Sequence, residues 1–333
     1  MKALRCHAHG APEDLIVEDV PLPSPGPGEV RIRVAAAGVN LPDALIIQNL
    51  YQLQPPLPFT PGGEAAGWID AIGEGVTGVS LGDRVAAMTL AGAFAEHVVV
   101  AADRLIAVPD GVPLGVAAAM TMAHGTAYHA LAQRAAVQPG ETVLVLGASG
   151  GVGLASVEVA KAMGARVIAA ASAPDRLALA RERGADVLVD YEAGDLRTAL
   201  REAQGTAGID VIVDPVGGSL AEPAFRSIGR NGRYLVVGFA AGTIPAIPLN
   251  LPLLKAASIV GVLWGAFTVR EPEQHRANMA TLYAWLLDGR LQPLISRRFP
   301  LADAAQAIRL MMDRKAAGKI VIDVCADGPD RRP

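Results

Sequence analysis

Between Thr142 and Ser172 the chain reads TVLVLGASGGVGLASVEVAKAMGARVIAAAS, and its glycines have the plainest chemical use in the sequence. An apolar, β-branched run breaks into glycines, a helical pattern follows, and a second apolar run ends in alanines and Ser172. Ser149, Gly150, Gly151, Val152 and Gly153 therefore sit where a strand turns into a helix, the context in which a glycine-rich turn holds a dinucleotide. Gly150 lacks a Cβ, so backbone amides can approach a pyrophosphate there. Gly153 lets the helix pack on the strand, and the helix N-terminus favours negative charge. One departure is Ala148, which stands where the common fingerprint has its first glycine. The alternative use of such residues is a tight strand-to-helix turn with no ligand.

The end of the second strand bears on which dinucleotide is held. A protein selecting NAD places an Asp or Glu there to accept from the ribose 2′-hydroxyl. Here the strand ends IAAAS, with no acid. Ser172 and the alanines leave room for a 2′-phosphate, and Arg176 can pair with one through its planar fork. Asp175 beside it is an unhelpful charge unless it serves as a helix N-cap. The expected cofactor is NADP(H).

These residues need a scaffold, and the chain of 333 residues is long enough for two domains. It is 51% hydrophobic and 19% charged, with 36 glycines and 24 prolines, which fits a glycine-rich α/β enzyme. The net charge of -4 offers no basic field for nucleic acid. No apolar run approaches the roughly 18 residues of a membrane span, and MKALRCHAHGAPEDL has charge and histidine where a signal peptide is apolar. The two cysteines, Cys6 and Cys325, make neither a disulfide framework nor a structural zinc cluster. A cytoplasmic location is expected.

The first hundred residues read as short strands. EVRIRVAAAGVN alternates apolar and polar positions from Val30 to Val34, and GEAAGWIDAIGEGVTGVSLGDRVAA repeats short apolar runs between glycine turns, as in a small bent barrel. Pro55, Pro56, Pro58 and Pro61 forbid regular structure just before it. An alanine-rich helical stretch begins near Leu114 and stops at Pro139-Gly140. Strands are then expected at Thr142 to Leu146, Arg166 to Ala170, Asp186 to Val189, Ile209 to Val213, Arg233 to Val237 and Ile259 to Val262, with helices between the first five. That alternation implies a parallel sheet covered on both faces. After Trp264 two helical stretches precede the apolar strand GKIVIDV.

The blocks AAGVNLPD, PFTPGGEAAGWIDAIGEGVTGVSLGDRVAA, GTAYHAL, GASGGVG and GKIVIDV resemble the medium-chain dehydrogenase/reductase superfamily over essentially the whole chain. The resemblance implies an α/β protein: a GroES-like β domain formed by both chain ends and a doubly wound Rossmann domain with a parallel sheet between them. The expected boundaries are 1–122 for the first part of the GroES-like domain, 123–264 for the NADP-binding domain and 265–333 for the return segment. Zinc-dependent members hold a catalytic metal with Cys, His and a third ligand; the matching positions here are Asn40, Gly63 and Met122, which cannot replace thiolate and imidazole. The structural four-cysteine lobe is missing too. No metal is expected.

The zinc-free branch that the sequence is most similar to is the zeta-crystallin-like NADPH:quinone oxidoreductases. The resemblance implies that Gly238, Phe239, Leu263, Trp264 and Gly265 border the nicotinamide, with Thr126 near it. It places Ser172, Arg176 and Tyr191 around the adenosine 2′-phosphate and Lys319 close to the cofactor. It sets Asn40 and Asp43, in the loop after a strand, against the nicotinamide ribose or the substrate. Tyr51 matches a tyrosine that related enoyl-thioester reductases use as proton donor. The plainer alternatives are a lid residue for Tyr51, a core residue for Trp264, a sheet-edge aromatic for Tyr191 and a solvated charge for Lys319; Glu64 could anchor the glycine turn. The expected function is NADPH-dependent reduction of quinones or related conjugated carbonyls (a small quinone or enone substrate) by direct hydride transfer, in a homodimer paired through SIVGV edges. Reduction of an enoyl thioester or alkenal is the alternative, with Arg270, Arg297 and Arg298 as a basic rim for a thioester tail. A non-catalytic NADPH-binding protein is another.

Overall fold

The computed structural model describes residues 1–89, 91–205 and 208–325, and the chain divides into two compact units. The first contains Met1–Met122, Thr268–Tyr283 and Pro293–Pro333; the second contains Ala123–Phe267 and Ala284–Gln292. The division falls inside the helix Leu114–Tyr128. The C-terminal return is therefore divided: Thr268–Tyr283 belongs to the first unit and Ala284–Gln292 to the second.

The second unit is built on a six-stranded parallel sheet. Its spatial order is Val187–Asp190, Arg166–Ala171, Thr142–Leu146, Val211–Asp214, Arg233–Val236 and Ser258–Gly261. In chain order this is 3-2-1-4-5-6, the doubly wound arrangement whose reversal point lies between the first and fourth strands. Thr142–Leu146 and Val211–Asp214 are buried along their whole length, as strands covered on both faces must be. Leu144, Leu146, Ile168, Ile212, Phe225 and Tyr234 form the core on one side. The strands begin and end within two residues of the expected positions. The last strand is an edge, and three of its four residues are exposed, Ile259 at 42%.

The first unit carries a seven-stranded sheet. Its main path runs Ile295–Pro300, Lys319–Asp323, Glu29–Val39, Glu64–Ile72, Arg84–Met88 and Leu105–Ala107, with His97–Ala101 also pairing to Glu29–Val39. Glu29–Val39 alternates buried and half-buried residues over its first half and is buried throughout its second. Its end receives Lys319–Asp323 antiparallel, Ile320 opposite Val39, and so brings residues nearly three hundred positions apart side by side.

Two elements of the first unit and the helix Asn250–Lys255 of the second were not expected. Ile295–Pro300 pairs parallel to Lys319–Asp323; ISRRFP has no period-two apolar pattern because it is an edge with no fully buried residue. Leu41–Ile47 is a helix, not a loop. Its start signal was legible: Asn40 in extended conformation, Pro42 in the first turn and Asp43 at the third position. Among the described residues no helix is long and apolar enough to cross a membrane.

Candidate active site

In the second unit the expected cofactor residues gather at the carboxyl ends of the parallel strands. The turn after Thr142–Leu146 starts with Gly147 at φ 59°, a left-handed conformation that leaves Ala148 free to donate its N–H to Ala170 at 3.0 Å. Gly147 thus performs the tight-turn task of the first fingerprint glycine one residue early, which explains how Ala148 is tolerated. The helix Gly151–Ala162 opens from Gly150, and its first-turn amides at Gly151, Val152 and Gly153 have no intrahelical acceptor. A Cβ on Gly153 would meet the Gly147 carbonyl oxygen at 2.1 Å, so only glycine permits this strand-to-helix approach. Ser149 is buried within the turn.

At the end of the second strand, the Ser172 side chain and the Arg176 charge both act on the Tyr191 phenol. Burial pushes the Tyr191 phenol up, against the pull of Ser172 and Arg176. Three residues nineteen positions apart at most are thereby brought to one place, with no acid ending the Arg166–Ala171 strand. Asp175 is not the N-cap of the helix Pro174–Glu182; Ala173 is, and Asp175 lies in its first turn.

Further along the same sheet edge, Gly238 and Phe239 follow Arg233–Val236, and the Phe239 ring lies over Gly217. Leu263 is two-thirds exposed, whereas Trp264 is 5% exposed. The Trp264 indole fills the space over Gly125, where a Cβ would meet it at 2.7 Å. Thr126 is the buried neighbour of that glycine, and Gly265 faces open space.

In the first unit Asn40, Asp43, Glu64 and Lys319 form a buried polar cluster, between 0% and 8% exposed. Glu64 is its hub. Its Oε1 accepts from Lys319 Nζ at 2.6 Å and from Asn40 Nδ2 at 2.8 Å, and its Oε2 accepts from the Met122 N–H at 2.7 Å. Lys319 Nζ also donates to Asn40 Oδ1 at 2.5 Å and to the Val39 carbonyl at 3.3 Å. Asp43 Oδ2 accepts from the Asn40 N–H at 2.8 Å. Burial pushes the Asp43 carboxyl up to about 7, although the Asn40 and Gly63 amides and the Lys319 charge pull it down; the Glu64 charge adds to the rise. Tyr51 is half-buried against the core of this unit, its phenol raised by burial and then by the Asp43 charge. Glu64 is the buried cluster residue that the sequence reading placed least well; its signal was the glutamate of GGEAAG directly after two glycines.

The comparisons with known proteins agree with this architecture. Residues 26–110 match the alcohol dehydrogenase GroES-like domain and residues 151–283 the zinc-binding dehydrogenase domain. Quinone oxidoreductase-like protein 2 of Bos taurus is 38% identical over 288 residues, 86% of this chain and 82% of that protein. The Homo sapiens quinone oxidoreductase is 32% identical over 97% of each chain. Two structures solved with NADPH align closely. Mycobacterial Rv1454c is 32% identical with a TM-score of 0.90, covering 97% of this chain and 99% of that one. Escherichia coli quinone oxidoreductase is 26% identical with a TM-score of 0.90, covering 97% and 100%. The fold and site define a medium-chain dehydrogenase/reductase. Within that class the chain belongs to the quinone oxidoreductase family.

The zinc-binding domain match raises the question of whether zinc fits. Among the described residues no group of three His, Cys, Asp or Glu side chains could hold a metal. The histidines that pair with acids do so singly, His7 with Glu18, His97 with Asp70 and His124 with Glu158. Asn40, Gly63 and Met122 offer neither thiolate nor imidazole, and an ammonium already lies against Asn40 and Glu64. The residues present do not fit zinc.

The raised Asp43 carboxyl has a consequence for stability. Its ordinary value is 3.8 and its folded value about 7, so between these the native state keeps a proton that the unfolded state has released. Stability is therefore lost as pH rises from about 4 to about 7, by an amount on the order of a few kcal/mol. Asp43→Asn, which cannot ionise, is expected to gain stability relative to the parent between pH 5 and 8, measured as the difference in thermal midpoint. A difference that does not change with pH means that Asp43 is already ionised at pH 5.

Proposed function

We propose that this protein is a zinc-independent, cytoplasmic NADPH-dependent reductase of quinones. The observation that carries the cofactor choice is the grouping of Ser172, Tyr191 and Arg176 at a strand end that has no acid. An acid there would repel a 2′-phosphate, whereas a hydroxyl, a phenol and a guanidinium accommodate one. The first-turn amides of the helix from Gly151 hold the pyrophosphate. Gly238, Phe239, Leu263, Gly265 and Thr126 flank the nicotinamide, and Trp264 supports that wall from the core. NADPH supplies a hydride when bound.

The chain's own groups must manage the charge that hydride transfer leaves on the acceptor. The acceptor gains a hydride at one end of its conjugated system and negative charge at the other, and one proton completes the reduction. Tyr51 is the donor in this reading. A quinone demands least of it, because the hydroquinone anion is stable and can take its proton from water. The relatives named quinone oxidoreductases support that acceptor. An enoyl thioester would need a basic surface for its tail, but Arg298, one of the expected cations, is paired with Asp323 at 2.6 Å.

The reading includes a homodimer. The exposed Ser258–Gly261 edge, together with Ile244, Leu249, Leu253 and Leu254 at 73–81% exposure, is an apolar surface that a second copy would cover by continuing the sheet. Light scattering at micromolar concentration is expected to give a dimer; a stable monomer refutes the pairing.

Arg176→Ala is expected to weaken NADPH by about 1.5–3 kcal/mol, the worth of a charge-assisted hydrogen bond, and to leave NADH unchanged. Titration of both cofactors by nicotinamide fluorescence checks this, and equal parent affinity for the two refutes the 2′-phosphate assignment. Tyr51→Phe is expected to lower quinone turnover by about tenfold or less, because water can supply the proton. A loss of roughly a hundredfold or more with an enoyl substrate would identify that alternative as the reaction the site is built for.

A further inference from the structure

We infer that Lys319 is the resident cation of the first unit, an ammonium in the place where a zinc-binding dehydrogenase needs its metal, and that it acts as a positioning residue for Asn40. The inference rests on the reduction proposed above only for its kinetic readout.

The geometry is that of a filled site. Lys319 is 3% exposed and its Nζ meets three oxygens, Asn40 Oδ1 at 2.5 Å, Glu64 Oε1 at 2.6 Å and the Val39 carbonyl at 3.3 Å. A lysine ammonium has three N–H groups, so none is left for a phosphate or a substrate. The Asn40 amide is engaged at both ends: Oδ1 accepts from Lys319, while Nδ2 donates to Glu64 Oε1 at 2.8 Å and to the Gly38 carbonyl at 3.3 Å. Lys319, Asn40 and Glu64 therefore close a ring in which each fixes the other two.

The neighbouring sequence is shaped to admit that ring. A Cβ on Gly38 would meet Glu64 Oε1 at 2.1 Å and the Ala118 carbonyl at 2.6 Å, so glycine there makes room for the carboxylate. The Met122 N–H holds the second carboxylate oxygen at 2.7 Å. The donor set also suits the cation. Amide, carbonyl and carboxylate oxygens satisfy an ammonium, whereas zinc calls for thiolate, imidazole or several carboxylates. The residues at the matching ligand positions, Asn40, Gly63 and Met122, follow from this exchange. Asn40 gives the ammonium an oxygen, Met122 needs only its backbone, and the Gly63 amide pulls the Asp43 carboxyl down.

Because every Nζ proton is used, Lys319 reaches the reaction only through Asn40, which begins the Leu41–Ile47 segment leading to Tyr51. Removing the ammonium leaves Glu64 as an uncompensated buried charge, the costly way to break such a pair.

The test uses the full-length protein, Lys319→Ala, and the double variant Glu64→Gln with Lys319→Met. Zinc content, thermal midpoint, NADPH affinity by fluorescence, and kcat and KM with 1,4-benzoquinone are measured, with methylammonium or tetramethylammonium chloride added at equal ionic strength. The parent is expected to carry no stoichiometric zinc. Lys319→Ala should lose about threefold to tenfold in kcat, no more than Tyr51→Phe, and several degrees in midpoint, with NADPH affinity and quinone KM changed by less than about threefold. Methylammonium, which has N–H groups, should restore part of both losses; tetramethylammonium, which has none, should restore neither. If Lys319→Ala does not fold, the double variant decides: it removes both charges and should fold with NADPH affinity retained. A double variant that also fails to fold overturns the inference. So does about one zinc per parent chain, equal effects of the two ammonium salts, or a tenfold or greater loss of NADPH affinity in Lys319→Ala. A parent inactive with benzoquinone would sink the acceptor assignment alone, since the midpoint, affinity and rescue readouts do not depend on it.

Discussion

A carboxylate with no solvent exposure organises the first unit. Glu64 stands at the start of a central strand, and burying its charge is tolerable only because three donors converge on it, one of them the Lys319 ammonium. Those donors come from the loop at Asn40, the helix at Met122 and the last strand at Lys319, so satisfying one group fixes three segments. The surrounding sheet supplies the register that makes this possible. Lys319–Asp323 must pair antiparallel with the end of Glu29–Val39 for the lysine to reach Asn40 and Glu64. The electrostatics then follow from geometry. With Glu64 and Lys319 matched, a further buried carboxylate at Asp43 has little to compensate it, and it holds its proton towards neutral pH.

The second unit depends on a different constraint, the distance between backbone segments at one turn. Gly147 takes a left-handed conformation and Gly153 lets the helix come within contact of the Gly147 carbonyl. Together they aim the unsatisfied amides of a helix N-terminus at the edge of the sheet where all the strands end. The same edge carries Ser172, Arg176 and Tyr191, because two neighbouring parallel strands, Arg166–Ala171 and Val187–Asp190, finish there. A parallel sheet thus converts residues scattered along the sequence into one row. The two units show two ways of building polar function into a protein: one with side-chain charges satisfied in the interior, the other with backbone dipoles left open at a surface.

The plan of the fold was legible because its signals are local. Apolar β-branched runs alternating with helical patterns announced the parallel sheet, and the strand from Thr142 was read with its observed ends. Ile295–Pro300 was missed because an edge strand has no need of alternation, and Leu41–Ile47 because seven residues give too little periodicity. Of the site, the glycine turn and the absence of an acid before Ser172 were local and readable. The role of Gly147 was not, since it depends on a backbone angle.

By itself, then, the sequence determined the kind of cofactor turn, the lack of thiolate and imidazole at Asn40, Gly63 and Met122, and the alternation of strands and helices, because each of these is written in neighbouring residues. The tertiary structure alone decided what stands in place of the missing ligands. Lys319 lies 279 positions from Asn40 and 255 from Glu64, and nothing in its local sequence distinguishes it from a solvated charge at the start of a strand. Only the pairing of the last strand with Glu29–Val39 buries it. A buried ammonium must find its acceptors where the fold has placed them.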